Sequence, residues 1–588
     1  MMGKVCAVFF VVCTLAVASG GVGNLRRIEI ESHTFGEGSG TLDDPHMIYD
    51  VHDLQAMRNN LSAHYALAND IDANVTKEWN DGAGFEPVGN YDYQFSGRLD
   101  GNGYEITGLY INRPDSRYIG LFGRTDNSEI NEVRMIDAKI TGDNGVGGLV
   151  GSNEGGSINN SYTAGHIVGR FWVGGLVGLS TGVISNAHSE ANIEGSSRLG
   201  GLAGRNDGSI SDSYAVGGVS GNHYIGGLVG FNWGGTVLRS YATGNVDGTG
   251  DDVGGFVGWN EEGTLSKCYA TGEVIGVSNS GGFVGLNVGS VFDSYSRGNV
   301  TRTSGDATSF GGFVGFNQGM NITNSYSTGR VLYDGASDPY ENGFAGKVDG
   351  DYQMVGNFWD SETSYQTETA GNATRKITAE MQNKSTFTDV GWDFQEIWCI
   401  IENVTYPLLQ WQDTPVVRSV ELNLYAFPES GGWNFISFNI SPKDTSIAYL
   451  LADIEGNYDR VLYYDASIED WLVYSPNRPE NFNSLHNLEY TMGFWIRMLK
   501  DDLLTMEGIE PTSTDIALYP GWNMVGVPSE SEGNHGLPGE VTKIGYFDTN
   551  GEYNVSYDYD AGNFTFSPGQ GYMVYNGEDY AVKWTVDY

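Results

Sequence analysis

The side chains best suited to chemistry recur as a row: Tyr162, Tyr214, Tyr241, Tyr269, Tyr295 and Tyr326, with His188 in the corresponding place of one copy. Strands stacked about 4.8 Å apart would turn that row into a ladder of rings. Rings facing out would stack on sugars or an apolar partner, and rings facing in would be core. Structural stacking is the favoured reading, and the row is the candidate binding ladder of this chain. Elsewhere the reactive residue types do not assemble. The nine histidines show no i, i+4 pairing, and no zinc spacing, phosphate loop or nucleophile motif is present. The Asp100-Gly101-Asn102-Gly103 stretch offers one carboxylate, whereas glycoside cleavage generally needs two about 5 to 10 Å apart and a lyase needs a base with a cation. It reads as a turn. Asp548-x-Asn550-Gly551 lacks the rest of a calcium loop. No catalytic residue, metal ligand or cofactor is therefore expected.

What would position the ring ladder is a repeat. From about Gly145 to Val331 the pattern G-G-[LF]-V-G-x-N-x-G-x-[IV]-x-x-S-Y-x-x-G-x-V recurs, with paired glycines beginning at Gly147, Gly174, Gly200, Gly226, Gly254, Gly281 and Gly311. A period near 27 residues signals a solenoid, and each copy holds only short β-branched runs separated by turn residues. So small a unit cannot bury its own apolar face, so copies must stack on a shared core. Three rows supply that core: Leu149, Leu176, Leu202, Leu228, Phe256, Phe283 and Phe313; Ile158, Ile184, Ile210, Val237, Leu265, Val291 and Ile322; and Ile167, Ile193, Val219, Val246, Val274, Val300 and Val331. The glycines are expected at corners that need positive φ. Asn153, Asn206, Asn232, Asn260, Asn287 and Asn317, with Ser180 as the one departure, are expected to form a stacked amide ladder.

These residues resemble the GLUG repeat, found in secreted and surface proteins of bacteria and archaea, over roughly residues 119 to 331. The resemblance implies a right-handed parallel β-helix, an accessory part of some adhesins and peptidases, and no catalytic residues. The expected fold class is accordingly all-β: a right-handed parallel β-helix solenoid, then two small homologous β-sandwich-like or barrel-like modules.

The first residues read as a secretory signal, a basic start followed by the apolar run Val5 to Val17 and Ala16-Val17-Ala18. No other stretch approaches a membrane span, so no transmembrane segment is expected in the mature chain. The net charge of -43, from 74 acidic and 31 basic residues, works against nucleic acid or an anionic membrane as partner. After cleavage only Cys268 and Cys399 remain, and Cys268 fills a slot that is Ser161, Ser213, Ser240, Ser294 and Ser325 in other copies. It reads as a small core residue. Sequons from Asn60 to Asn563 would accept glycans in a glycosylating host.

The expected divisions are a signal peptide at 1–18, a flexible start at 19–35, an N-terminal cap with first coils at 36–125, and the GLUG-repeat β-helix at 126–358. A C-terminal cap at 359–412 and β modules at 413–510 and 511–588 follow. The two modules echo one another: Gly432-Trp433-Asn434 matches Gly521-Trp522-Asn523, and Val461-Leu462-Tyr463-Tyr464-Asp465 matches Ile544-Gly545-Tyr546-Phe547-Asp548. The functional expectation is an extracellular or cell-surface structural or adhesive protein that binds surface glycans or surface proteins without catalysis. A polysaccharide-active β-helix enzyme, lyase or glycoside hydrolase, is the competing class.

Overall fold

The computed structural model describes residues 35–303, 309–319, 321–333, 342–350, 353–412, 417–426, 431–442, 445–509, 513–527, 537–538, 540–547, 553–557, 566–567, 569–578 and 580–587. The leader, the linker at Pro415, the turn at Asp548–Gly551 and the sequon Asn563 lie outside them. The chain divides into two units, Met1–Arg375 and Lys376–Tyr588.

In the first unit each repeat makes one coil. A coil runs through strands such as His223–Gly226, Val229–Trp233, Thr236–Leu238, Tyr241–Ala242 and Val246–Gly248. Each strand pairs in parallel with its counterpart one repeat on, so Val237 lies beside Leu265 and Tyr241 beside Tyr269. Parallel pairing carries back to His46–Ile48 and forward to Phe358–Asp360. The strands are β because they are short, β-branched and broken by corners too frequent for a helical turn to form.

The three apolar rows face inward. Leu202, Phe283 and Phe313 are fully buried, as are Ile158, Leu265, Ile167 and Val300. The Phe256, Phe283, Phe313 and Phe344 rings stack with centroids 4.7, 4.9 and 4.7 Å apart. The amide ladder also forms. Asn206 Nδ2 donates to Asn232 Oδ1, Asn232 to Asn260, Asn260 to Asn287, and Asn287 to Asn317, each at 2.8 Å. The same nitrogens hold the following turn, as in Asn232 Nδ2 to Gly235 O at 3.0 Å. Where Ser180 replaces asparagine its hydroxyl accepts from Asn153 Nδ2 at 3.2 Å.

The reason for the paired glycines differs from the expectation. Their φ angles are not positive; the left-handed corners carry side chains instead, among them Asn160, Asn186, Asp212, Arg239, Lys267, Asp293 and Asn324. What the pair needs is room. A Cβ on Gly200 would sit 2.1 Å from the Ala203 carbonyl oxygen, and one on Gly201 2.2 Å from that of Gly227. Close approach of backbone to backbone is the other property only glycine supplies.

Both ends are closed. Asp50 accepts from His52 N and Asp53 N to cap the helix Val51–Ala56, whose Leu54 is fully buried under the first coils. At the other end the segment after Trp359 satisfies the open strand edge. Gln366 Oε1 accepts from Asn342 N at 3.2 Å, Glu368 O from Gly343 N at 2.9 Å, and Thr369 Oγ1 from Phe344 N and Ala345 N at 3.1 and 2.8 Å. An uncovered end would leave such groups and an apolar face exposed.

The second unit begins with short helices at Thr378–Met381 and Lys384–Thr388 and continues into two sets of antiparallel sheets. Trp433–Ile436, Phe494–Met498, Tyr458–Asp465 and Asp470–Tyr474 form a four-stranded sheet. Gly521–Gly526, Gly571–Asn576, Val541–Phe547 and Tyr553–Tyr557 repeat its order. The echoed asparagines do the same work. Asn434 bridges the backbone of Tyr425 through contacts of 3.0 and 2.8 Å, and Asn523 bridges that of Tyr519 at 2.8 and 2.7 Å. Among the described residues no helix is long and apolar enough to cross a membrane, which says nothing of a β-barrel.

Candidate functional site

The tyrosine row sits on two-residue strands such as Tyr214–Ala215 and Tyr241–Ala242, whose alanines point into the core at 0% exposure. Side chains alternate across a strand, so the rings point outward. All seven predicted positions come together. Centroids run 4.4 Å from Tyr162 to His188, 4.5 Å to Tyr214, 4.7 Å to Tyr241, 4.8 Å to Tyr269, and 5.0 Å to Tyr295 and again to Tyr326. From His188 onward the interplanar angles stay between 3 and 12°.

This geometry limits what the ladder can do. Each ring's two faces are covered by the rings above and below, so a sugar cannot lie flat on an interior member. Edges and hydroxyls remain. Tyr162 donates to Glu190 Oε2 at 2.9 Å, and Arg297 Nη2 donates to the Tyr326 hydroxyl at 2.7 Å. Burial, with Glu190 beside it, raises the Tyr162 phenol above its ordinary value, and burial lowers the His188 imidazole. The row is thus an outward structural stack, half-buried along Tyr162 to Tyr269 and buried at Tyr295 and Tyr326.

A second outward row was missed by the sequence reading. Two residues before five of the glycine pairs the chain takes a left-handed corner that carries a side chain, occupied in successive coils by Trp172 (φ 54°), Arg198 (59°), Tyr224 (57°), Asp252 (62°) and Asn279 (45°). The glycine of the next coil's L-V-G step makes room: a Cβ on Gly230 would meet the Arg198 carbonyl carbon at 2.5 Å. Beside these corners run Arg205, Phe231 and Trp259, in register with one another. The Arg198 guanidinium lies 5.0 Å from the Tyr224 ring centroid and 5.6 Å from Phe231. Arg205 lies 4.3 Å from Trp233, while Trp259 packs 5.2 Å from Tyr224 and 5.0 Å from Phe231. Arg205 is paired with Asp207 through contacts of 2.6 and 2.7 Å. The signal was available, since reading those two repeat positions down the aligned copies shows aromatic and arginine residues clustering in consecutive coils.

The remaining candidates are structural. Asp100 receives Arg98 Nη2 at 2.8 Å and Asn102 N at 3.1 Å, which is turn chemistry. Cys268 is fully buried with its Sγ 3.1 Å from Ser266 O, repeating the contact Ser240 makes to Leu238 O, and burial pushes its thiol up to about 12. Among the described residues no group of three His, Cys, Asp or Glu could hold a metal ion.

Comparison with known proteins agrees with this geometry. The GLUG motif matches residues 221–247, 250–275 and 306–332. A protein of Evansella cellulosilytica named a Gly-rich membrane protein is 39% identical over 422 residues, 64% of this chain and 46% of that protein. Halomucin of Haloquadratum walsbyi is 43% identical over 150 residues, 24% of this chain and 2% of halomucin. An immunoglobulin A1 protease of Streptococcus sanguinis is 30% identical over 156 residues, 22% of this chain and 8% of the protease. The chain spans less than half the length of each of these relatives. With the motif matched at those residues and each copy folded as one parallel coil, this chain carries GLUG motifs, and its repeats form a β-solenoid.

Proposed function

We propose that the chain is an extracellular or cell-surface structural protein, a shaft that holds extended partners, surface glycans or surface proteins, without turning them over. The observation that carries this reading is the regularity of the outward rows. Every coil sets the same positions at the same corners, so a partner lying along the shaft meets an equivalent slot at each step of about 4.8 Å. Two coil carboxylates are engaged in ion pairs, Asp212 with Arg239 at 2.6 and 2.8 Å and Asp207 with Arg205 at 2.6 Å. Relatives named for a membrane, a mucin and a secreted-antibody protease support a surface setting.

The test presents the purified full chain with a polysaccharide panel and with extracted surface proteins, scoring binding beside release of reducing ends or unsaturated sugars. Saturable binding without product is the expected result. Product release that disappears when a coil carboxylate is replaced would make the chain an enzyme and overturn the reading.

A further inference from the structure

We propose that the face built by Arg198, Tyr224, Phe231, Trp233 and Trp259 binds an acidic polysaccharide, a hexuronate chain laid along the solenoid axis. The inference rests on the binding reading above and gives it a ligand class and a place.

Two observations carry it. Among the described residues Arg198 has no carboxylate partner, and its contacts are the Tyr224 and Phe231 rings. In a chain with 74 acidic and 31 basic residues an unpaired guanidinium on an outward corner is unusual company. Rings hold its plane but accept none of its five N–H donors, which suit a planar carboxylate. The second observation is an open aromatic surface beside it: Trp233 is 47% exposed, with the Arg205 guanidinium stacked on its ring at 4.3 Å. Unlike the tyrosine ladder, this indole is in a position to offer a sugar ring an apolar surface. Together these supply a cation for the carboxylate and an apolar plate for the C–H face of the pyranose.

Local carboxylates do not cancel the cation. Asp207 is held by Arg205, Asp252 accepts from Asn279 Nδ2 at 2.7 Å, and Glu261 stands at the rim in register with Trp233. The rest of the acidic surface is screened over about 8 Å at physiological salt.

Calorimetry of the full chain against polygalacturonate, with dextran and dextran sulfate as neutral and sulfated counterparts, tests the proposal. Polygalacturonate should bind, dextran should not, and binding should weaken with added salt. Arg198→Gln should lower affinity about tenfold or more and Arg198→Lys should recover part of it, since a single ammonium keeps the charge without the fork. Trp233→Ala, at an exposed site that leaves the core intact, should cost several-fold. Binding of polygalacturonate unchanged in Arg198→Gln and Trp233→Ala overturns the assignment of this face but leaves the shaft reading standing. Dextran sulfate bound in preference to polygalacturonate overturns the uronate assignment. Failure to bind polygalacturonate, the panel or the surface extracts would overturn both.

Discussion

Asn260→Ala should destabilise the solenoid out of proportion to the atoms removed. The wild-type amide is fully buried and makes three bonds: it accepts from Asn232 Nδ2 at 2.8 Å and donates to Asn287 Oδ1 at 2.8 Å and to Gly263 O at 3.3 Å. Three such bonds are worth about 3 kcal/mol net, and the Asn232 N–H left without an acceptor adds a desolvation penalty of roughly 1 to 3 kcal/mol. A total of roughly 4 to 6 kcal/mol follows. The chain contains its own control, because Ser180 occupies this slot in one coil and still accepts from the asparagine before it. Asn260→Ser should therefore cost about half as much. Urea unfolding reads the magnitude, and native-state hydrogen exchange should show faster opening of the coils around Gly263, since each repeat contacts mainly its neighbours. A loss under about 1 kcal/mol for Asn260→Ala, or a serine variant as costly as the alanine, would refute the claim that the ladder's hydrogen bonds set the cost.

Asp252→Asn should stabilise the protein at neutral pH. Burial raises the Asp252 carboxyl from 3.8 to about 6, so its contribution is fully present below pH 4 and lost as pH rises to about 6. Wild type and variant should match near pH 4 and differ by up to roughly 3 kcal/mol above pH 6, and a pH-independent difference in melting would refute this origin. Leu202→Asp puts a charge at a fully buried point of the first apolar row and should cost several kcal/mol, so an unchanged thermal melt would show that the row does not need apolar neighbours. Tyr241→Ala removes ring contacts at 4.7 and 4.8 Å and should cost about 2 kcal/mol in urea unfolding while leaving glycan binding unchanged. Weakened glycan binding with wild-type stability would return the ladder to the role of a binding surface.

The stacking was legible because a solenoid writes its contacts into its period: once Leu202 aligned with Leu176 and Leu228, the neighbours of each were determined. The Asn206 to Asn317 ladder followed by the same logic, since a buried amide repeated at one position has only its own kind above and below. Orientation of the tyrosines was not legible, because a two-residue strand such as Tyr214–Ala215 presents one residue to each side, and alanine and tyrosine are both acceptable inside. The glycine pairs were misread for a related reason. Positive φ and backbone crowding both select glycine, and only coordinates separate Gly200, with a carbonyl 2.1 Å from its missing Cβ, from a corner such as Asn186. Arg198 and Trp172 carry no such repeated signal, because their row does not keep one residue type from coil to coil.

That variability has a physical consequence for how such a shaft carries function. Inward slots are packed against the side chains above and below, as the Phe256 to Phe344 stack shows, so change there is penalised by packing. The left-handed corner differs, because its backbone conformation is imposed by the coil whatever side chain it bears: Trp172, Arg198, Tyr224, Asp252 and Asn279 all adopt φ between 45 and 62°. Its steric cost is lowest for Asn and Asp and moderate for other unbranched residues, so exchange among these alters the side chain presented while leaving the coil unchanged, whereas a β-branched residue would strain it. Within two coils the row passes from arginine and tyrosine to aspartate and asparagine, which gives the aromatic and cationic face a defined end. Specificity on a GLUG solenoid can thus be set coil by coil at these corners, independently of the ladders that hold the coils together.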